Sequence, residues 1–572
     1  MTEPISLSPL DIHFADFIAR IDRHSGTELW WGAALASYSA RFGHSCCNLR
    51  DTIETVAHKV VNSPHKLPQD DARWLEILRR CDTVGAPGAY TPLVLDPAGR
   101  LYLHRCWQYE QQIATGIEMR SRALSVDEVA LEVALDRYFP ARDAGEDLQR
   151  SAARMALTRR FSVISGGPGT GKTATVARIL ALLLDMPADS PPEIALAAPT
   201  GKAALRLHQS ILRAADSLLL TDETRNLMPT EVRTLHRLLG VQSRSGGFRH
   251  NRANRLSCDV LVVDEASMVD LQLMASLLEA LRDDTRVILL GDRNQLASVE
   301  AGAVLADICD SSDSGAVPVT QLTKSFRFSD ASGIAALSRL INSGDSAAAA
   351  ALVQAGQFPD ITWRPLPTGK VFERAFASAV RDGYARYARA DSPGEALAGL
   401  AEFRVLSPLR SGTYGIDTLN RVCQGALAPG RTGSADGSRP MPVMITGNNY
   451  ELGLFNGDTG VVLESDGSPA VWFENPEGGL RHLSVLRLPP YESAFAMTVH
   501  KSQGSEFDRV LLILPDHLSE VLSRELLYTA VTRARCSLEI WGTEEVFRQT
   551  VERRTLRESG LCERLAAGAA HE

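Results

Sequence analysis

Apolar residues along this chain fall into two recurring patterns. The first is the short unbroken run: "FSVIS" (161–165), "EIALAAP" (193–199), "DVLVVDE" (259–265), "RVILLGD" (286–292) and "VPVTQLT" (317–323). Each has the length of a strand, and the lack of polar alternation predicts a parallel sheet covered on both faces. The second is an apolar position every three or four residues between those runs, so the two together imply βαβ units. The same texture returns in "FRVLSP" (403–408), "SAFAMTV" (493–499), "RVLLILP" (509–515) and "SLEIWG" (537–542). A Gly/Pro/Ser-rich break, "APGRTGSADGSRPMP" (428–442), interrupts this second unit. Short β segments follow it around "GLFNGDTGVVLE" (453–464) and "AVWFE" (470–474), with Asn456–Gly457 as a turn signal. Residues 1 to about 115 are helix-rich. There Trp31, Leu35 and Tyr38 share one helical stripe, which reads as a core face or, more sharply, as a partner-docking face.

Four regions result: 1–115, 116–325, 326–428 with 490–572, and an insertion at 429–489. The 572 residues suit that number of domains. Apolar residues make up 44% and charged residues 23%, an ordinary globular composition. No apolar run reaches the roughly 18 residues of a membrane span. The start, "MTEPISLSPL", lacks the basic and apolar regions of a signal peptide. The nine cysteines form no C-x-x-C, which suits small buried hydrophobes in a reducing compartment. The expectation is a cytoplasmic protein with no membrane partner. The net charge of −9 excludes a histone-like polycation but not a local basic stripe for nucleic acid.

"SGGPGTGKT" follows the first strand and opens a helical run. Gly166, Gly167, Pro168, Gly169, Thr170, Gly171, Lys172 and Thr173 satisfy the phosphate-loop pattern. Glycines let backbone N–H groups wrap a phosphate, and the helix N-terminus adds positive dipole. Lys172 suits the β/γ oxygens of ATP, and the Thr173 hydroxyl suits Mg²⁺. Asp264 and Glu265 end a strand downstream. Asp264 suits the metal and Glu265 the activation of an attacking water. Gln295, in "LLGDRNQLASVEAG", lies beyond another strand end and is a candidate γ-phosphate sensor. Gln149 offers an amide that matches both edges of adenine. Arg327 and Arg533 are candidates to stabilise transferring charge, contributed across a cleft by a second unit that has no phosphate loop.

These blocks, with "APTGKAALRL", "TLHRLLG", "QLTKSFR", "TVHKSQGSEFD" and "LLYTAVTRAR", resemble the superfamily-one helicases from Gln149 to about Arg535. The wording is similar to the 5′-to-3′ branch, and within it to the α-subunit (RecD) family of exodeoxyribonuclease V. The resemblance implies an α/β fold with two RecA-like P-loop motor domains, a helical N-terminal docking domain and an inserted SH3-like β-barrel. It implies RecB and RecC subunits as partners in a nucleoid-associated machine that resects double-stranded DNA ends. Only about 115 residues precede the motor, which favours a complex subunit over a stand-alone helicase. A third reading is a regulatory subunit that uses ATP as a switch without unwinding. No nuclease constellation is evident outside the ATPase motifs.

By the same resemblance, single-stranded or forked DNA would meet Pro199, Thr200 and Lys202, then Thr234 and His236, then Thr498, His500 and Ser502. Gln503 and Glu506, in the same loop, would face the nucleotide, Glu506 accepting a ribose hydroxyl. The segment 240–257 holds four arginines, among them Arg244 and Arg249, and no acid. It reads as a basic β-hairpin able to act as a pin at a fork, or as a solvated basic loop.

Overall fold

The computed structural model describes residues 5–24, 26–50, 60–61, 65–140, 147–187, 190–242, 246–315, 317–329, 331–427, 440–449, 451–465, 468–475 and 479–569. Two parallel sheets form its centre. The first runs in the order Val319–Leu322, Phe161–Gly166, Arg286–Gly291, Val260–Val263, Ile194–Ala198, Val232–Thr234. The five apolar runs of the first unit all become strands here. The sixth, Val232–Thr234, was hidden because its three residues carry no apolar run. The second sheet runs Ile361–Pro365, Ala534–Gly542, Phe507–Ile513, Phe403–Ser407, Ala496–Thr498. Its edge strand Ile361–Pro365 is mostly solvated and ends in proline, so it too carries no core signal.

Strands Phe161–Gly166 and Val260–Val263 are buried along their length. Apolar helix faces cover both sides of each sheet, which satisfies the unbroken apolar runs. The insertion forms a five-stranded antiparallel sheet, in the order Leu480–Ser484, Ser468–Glu474, Thr459–Ser465, Met441–Ile445, Tyr491–Ser493. Its small core is Val443, Ile445, Leu454, Val471 and Phe473. The insertion therefore reaches Ser493 rather than stopping at 489, because Tyr491–Ser493 pairs with Met441–Ile445.

The N-terminal region is less purely helical than expected. Helix Pro9–Ile21 packs on helix Thr27–Arg41, which in turn packs on a four-stranded sheet built from Cys46–Asn48, Arg100–Leu103, Leu93–Leu95 and Val84–Gly85. Trp31 and Leu35 are buried, with Tyr38 packed against the same core, so that stripe is a core face. The helix His104–Glu118 crosses the expected boundary at 115 and buries Ile113 and Ile117 against Leu277 and Leu278 of the first parallel-sheet domain.

The end of the chain also departs from the expected partition. After the helix Glu544–Glu552 it leaves the second parallel-sheet domain and returns to the first and to the N-terminal domain. Leu561 and Leu565 join the core with Ile113 and Ile117. Glu110, fully buried, accepts from Ser45 Oγ (2.5 Å), Gly560 N (3.1 Å) and Arg564 Nε (3.0 Å). The backbone N–H of Glu558 donates to His44 Nδ1 (2.9 Å). Burial, and then the nearby Arg557 charge, push the His44 imidazole down to about 4 from 6.5. The folded state thus favours neutral His44. Its contribution is intact above pH 6.5 and lost as pH falls toward 4, because the unfolded chain takes up the proton first. His44→Gln keeps an acceptor and removes the titration. In paired thermal melts, the wild type should lose more stability than this variant between pH 7 and 4.5; parallel curves would contradict the assignment.

Candidate nucleotide site and nucleic-acid interface

Glycine backbone shapes the phosphate loop. Gly169 and Gly171 have φ of +76° and +82°, where a side chain is strained. A Cβ on Gly169 would lie 2.3 Å from Arg327 Cβ, and one on Gly171 would lie 2.7 Å from Gln149 Nε2. The loop is therefore walled by two other candidate residues. Lys172 Nζ donates to the carbonyls of Gly166 (2.6 Å) and Gly167 (3.1 Å). Its ammonium is held inside the loop, where phosphate oxygens would compete for it. Thr170 Oγ1 donates to Gly167 O (2.8 Å) and closes the turn beside Pro168. Thr173 sits in the first turn of the helix Lys172–Asp185.

Asp264 and Glu265 follow the strand Val260–Val263. Glu265 has φ of +52°, the only positive value among described residues other than glycine. Such a backbone is costly for a carboxylate residue and is typical of functional sites. Its N–H donates to Asp264 Oδ1 (2.8 Å). Burial, then the Glu265 charge, raise Asp264 above the usual carboxylate range, while Lys172 and Arg206 oppose the shift. Hydroxyl and carboxylate oxygens of Thr173 and Asp264 form a hard donor set that fits Mg²⁺.

Gln295 lies in the loop Asp292–Leu296, and the second parallel-sheet domain grips that loop. Tyr528 Oη donates to Asp292 Oδ2 (2.8 Å), Leu296 N donates to Thr529 Oγ1 (3.0 Å), and Gln503 Nε2 donates to Leu296 O (2.8 Å). Gln295 Nε2 itself donates to Asp292 Oδ2 (3.3 Å). Gln503 is thus a bridge between domains, 8% exposed, rather than a residue open to a nucleotide. Burial raises the Asp292 carboxyl.

Glu506 is the common partner of the cleft arginines. It pairs with Arg327 Nη2 at 2.5 Å and lies 3.8 Å from Arg206 Nη1. The charges of Arg327, Arg206 and Arg533 hold its carboxyl below the usual range against the effect of burial. Its carboxylate here restrains guanidinium groups. Arg533, 2% exposed, donates to Thr529 O (3.1 Å) and Ser505 O (2.9 Å). Sequence reasoning missed Arg206, although it lies four residues beyond Lys202 on one helix face. It also missed Tyr528 and Phe326. Phe326 is 57% exposed, its N–H donates to Gly169 O (2.7 Å), and its ring borders the same Gly171 position as the Gln149 amide. The Gln149 amide in turn faces Thr170 O at 3.5 Å.

The residues expected to meet DNA converge in part. Thr200, just after Pro199, caps the helix Gly201–Ser217, and Thr234 caps Leu235–Leu239. A Cβ on Gly504 would lie 3.7 Å from Ala203 and 3.9 Å from Thr200 Oγ1, so the turn after His500 abuts that cap. Phe455 of the insertion packs on Gly201 and under Arg237. Lys202 lies over the Phe507 ring, and burial followed by Arg206 lowers it to about 7. Thr498 Oγ1 accepts from Lys501 N (3.3 Å). Burial lowers the imidazoles of His236 and His500, and Arg557 adds to the effect at His500. Ser502 is fully buried and donates to Val499 O (2.7 Å). It closes the turn and offers no surface to a ligand, a correction to its expected role. In the basic segment, Val241 bridges Phe248 antiparallel and Arg249 is exposed, whereas Arg255 is tied to Asp283 (2.8 Å). Arg244 lies outside the described residues.

Three family profiles match: "RecBCD enzyme subunit RecD, N-terminal domain" over 4–102, "AAA domain" over 149–301 and "UvrD-like helicase C-terminal domain" over 493–539. The chain is 41% identical over 567 residues to the RecBCD enzyme subunit RecD of Mycolicibacterium smegmatis, covering 98% of this chain and 97% of that one. It is 38% identical over 566 residues to the corresponding Mycobacterium tuberculosis subunit, covering 97% and 94%. A crystal structure of Pif1 helicase from Bacteroides with ADP-AlF3 and ssDNA is similar at 16% identity and a TM-score of 0.39, over 71% of this chain and 94% of that one. That last likeness is too loose to carry weight. With near-complete coverage by relatives of one name and a matching N-terminal profile, the chain belongs to the RecD family of RecBCD enzyme subunits.

Proposed function

We propose that this chain is an ATP-dependent 5′-to-3′ DNA translocase and helicase. We further propose that it works beside RecB-like and RecC-like subunits in a machine that processes double-strand DNA ends. The observation that carries the reading is the cleft. A phosphate loop, paired strand-end acids and Gln295 lie on one motor domain, and a second motor domain grips the Gln295 loop through Tyr528, Thr529 and Gln503. A simple ATP switch needs no second sheet with a DNA-facing turn. The polarity and the partner subunits rest on family membership.

In this reading Lys172 exchanges the Gly166 and Gly167 carbonyls for phosphate oxygens. Thr173 and Asp264 would hold Mg²⁺, which when bound neutralises phosphate charge. Glu265, in its strained backbone, takes the proton of the attacking water at a carboxylate oxygen. Arg327, with Arg206 and Arg533 beside it, turns from Glu506 to the charge that develops on the phosphoryl oxygens. Gln149 pairs with the adenine edge while Phe326 stacks on its face. As the cleft closes, the Thr200 and Thr234 caps shift against the turn bearing Thr498 and His500. Hydroxyl, imidazole and backbone donors there would hold DNA phosphates without sequence preference. Arg249 would meet the duplex at the fork.

Lys172→Gln should reduce ATP hydrolysis and unwinding of 5′-tailed duplexes to background while leaving the thermal melt unchanged. Hydrolysis at wild-type rate would remove the site assignment. Phe326→Ala should raise KM for ATP by roughly tenfold, the scale of one lost base-stacking contact, with kcat within about twofold. An unchanged KM would show that the ring does not touch the base.

A further inference from the structure

One continuous segment, Asp292–Gly302, is anchored at both ends by different parts of the molecule. Its front, Asp292–Leu296, faces the nucleotide and is gripped by the second motor domain as described. Its back, Ser298–Gly302, is held by an arginine from the returning C-terminal segment. Arg557 Nη1 donates to Glu300 O (2.7 Å) and Gly302 O (2.8 Å), and Nη2 donates to Ser298 O (2.5 Å). Three carbonyls from a five-residue arc converge on one guanidinium. A planar fork matches that arrangement, and an ammonium cannot reproduce it.

Arg557 also touches the N-terminal domain. A Cβ on Gly43 of the N-terminal domain would lie 2.9 Å from Arg557 Cζ, and Gly43 O accepts from Gly302 N (2.9 Å). The turn assigned to DNA is tied to the same segment by Gln503, whose N–H donates to His500 O (3.2 Å) and whose Nε2 donates to Leu296 O (2.8 Å); burial first, and then the Arg557 charge, lower the His500 imidazole. The neighbouring residues Glu558, Gly560 and Arg564 lock the segment to His44 and Glu110. Only residues 553–556 separate Arg557 from the helix Glu544–Glu552 of the second motor domain. At about 3.5 Å per residue the five steps from Glu552 to Arg557 span at most about 18 Å, so the second motor domain cannot move far without pulling on Arg557.

We propose that Arg557 is a positioning residue of the motor: it fixes the Ser298–Gly302 backbone on the N-terminal domain and so steadies the adjoining Asp292–Leu296 loop at the nucleotide, to which Gln503 ties the His500 turn of the DNA grip. This rests on the helicase reading above. The side chain touches neither ligand and acts through the segment it holds.

The test measures ATP turnover of the full chain with and without single-stranded oligothymidine. Arg557→Ala should lower DNA-stimulated kcat by roughly tenfold, within the usual range of coupling between sites. Turnover without DNA and KM for ATP should stay within about twofold of wild type. If the alanine variant fails to fold, Arg557→Gln, which keeps one donor group, carries the same comparison. Equal loss of stimulated and unstimulated turnover would mean a merely structural role and overturn the inference, as would stimulation equal to wild type. If the wild-type chain itself shows no stimulation by DNA, the helicase reading falls and this inference with it.

Discussion

The loop Asp292–Leu296 satisfies only part of its polar groups within itself, through Asn294 N and Gln295 Nε2 on the Asp292 carboxylate. The Asp292 carboxylate, the Leu296 N–H and the Leu296 carbonyl all find partners on the opposite motor domain. Leaving one such buried group unpaired costs about 1–3 kcal/mol. The two parallel sheets are therefore joined at the mouth of the nucleotide cleft by hydrogen bonds that neither domain can make alone. Any change in the cleft that shifts this loop is felt by the second motor domain, which is the physical requirement for a motor.

The cleft also concentrates charge that needs another ligand to balance. Asp264 is raised by burial beside Glu265, and Glu265 holds a backbone conformation that favours glycine. Opposite them, Arg206, Arg327 and Arg533 crowd a single carboxylate, that of Glu506. Acids beside the loop suit a cation, and arginines facing them suit spreading negative charge. A triphosphate with its metal answers both demands at once. Beyond the cleft, the return of residues 557–565 onto the N-terminal domain ties three regions into one unit around buried Glu110.

Local signals made much of this legible. Unbroken apolar runs identified most strands of both sheets, and the glycine spacing of 166–173 identified the phosphate loop, because both are set by neighbours in sequence. The misses share a cause. Val232–Thr234 and Ile361–Pro365 are strands only because a distant partner pairs with them. Arg206, Tyr528 and Arg557 are ordinary in sequence and acquire meaning from groups far along the chain. Ser502, Gln503 and Glu506, expected at ligands by resemblance and by their shared loop, also use their polarity within the fold, on Val499, Leu296 and Arg327. A polar loop between core strands can owe its composition to interdomain pairing as much as to a ligand.

The central claim is that nucleotide binding moves the two motor domains relative to each other. The most direct measurement is the distance between spin labels at Leu219→Cys in the first motor domain and Val371→Cys in the second. Both positions are exposed, and exposed Cys536 would be replaced by serine. Addition of Mg²⁺ with a transition-state analogue of ATP should shift the distance distribution by several ångströms, as cleft closure in a motor requires. Identical distributions with and without the analogue, under conditions where binding is independently saturated, would contradict the account.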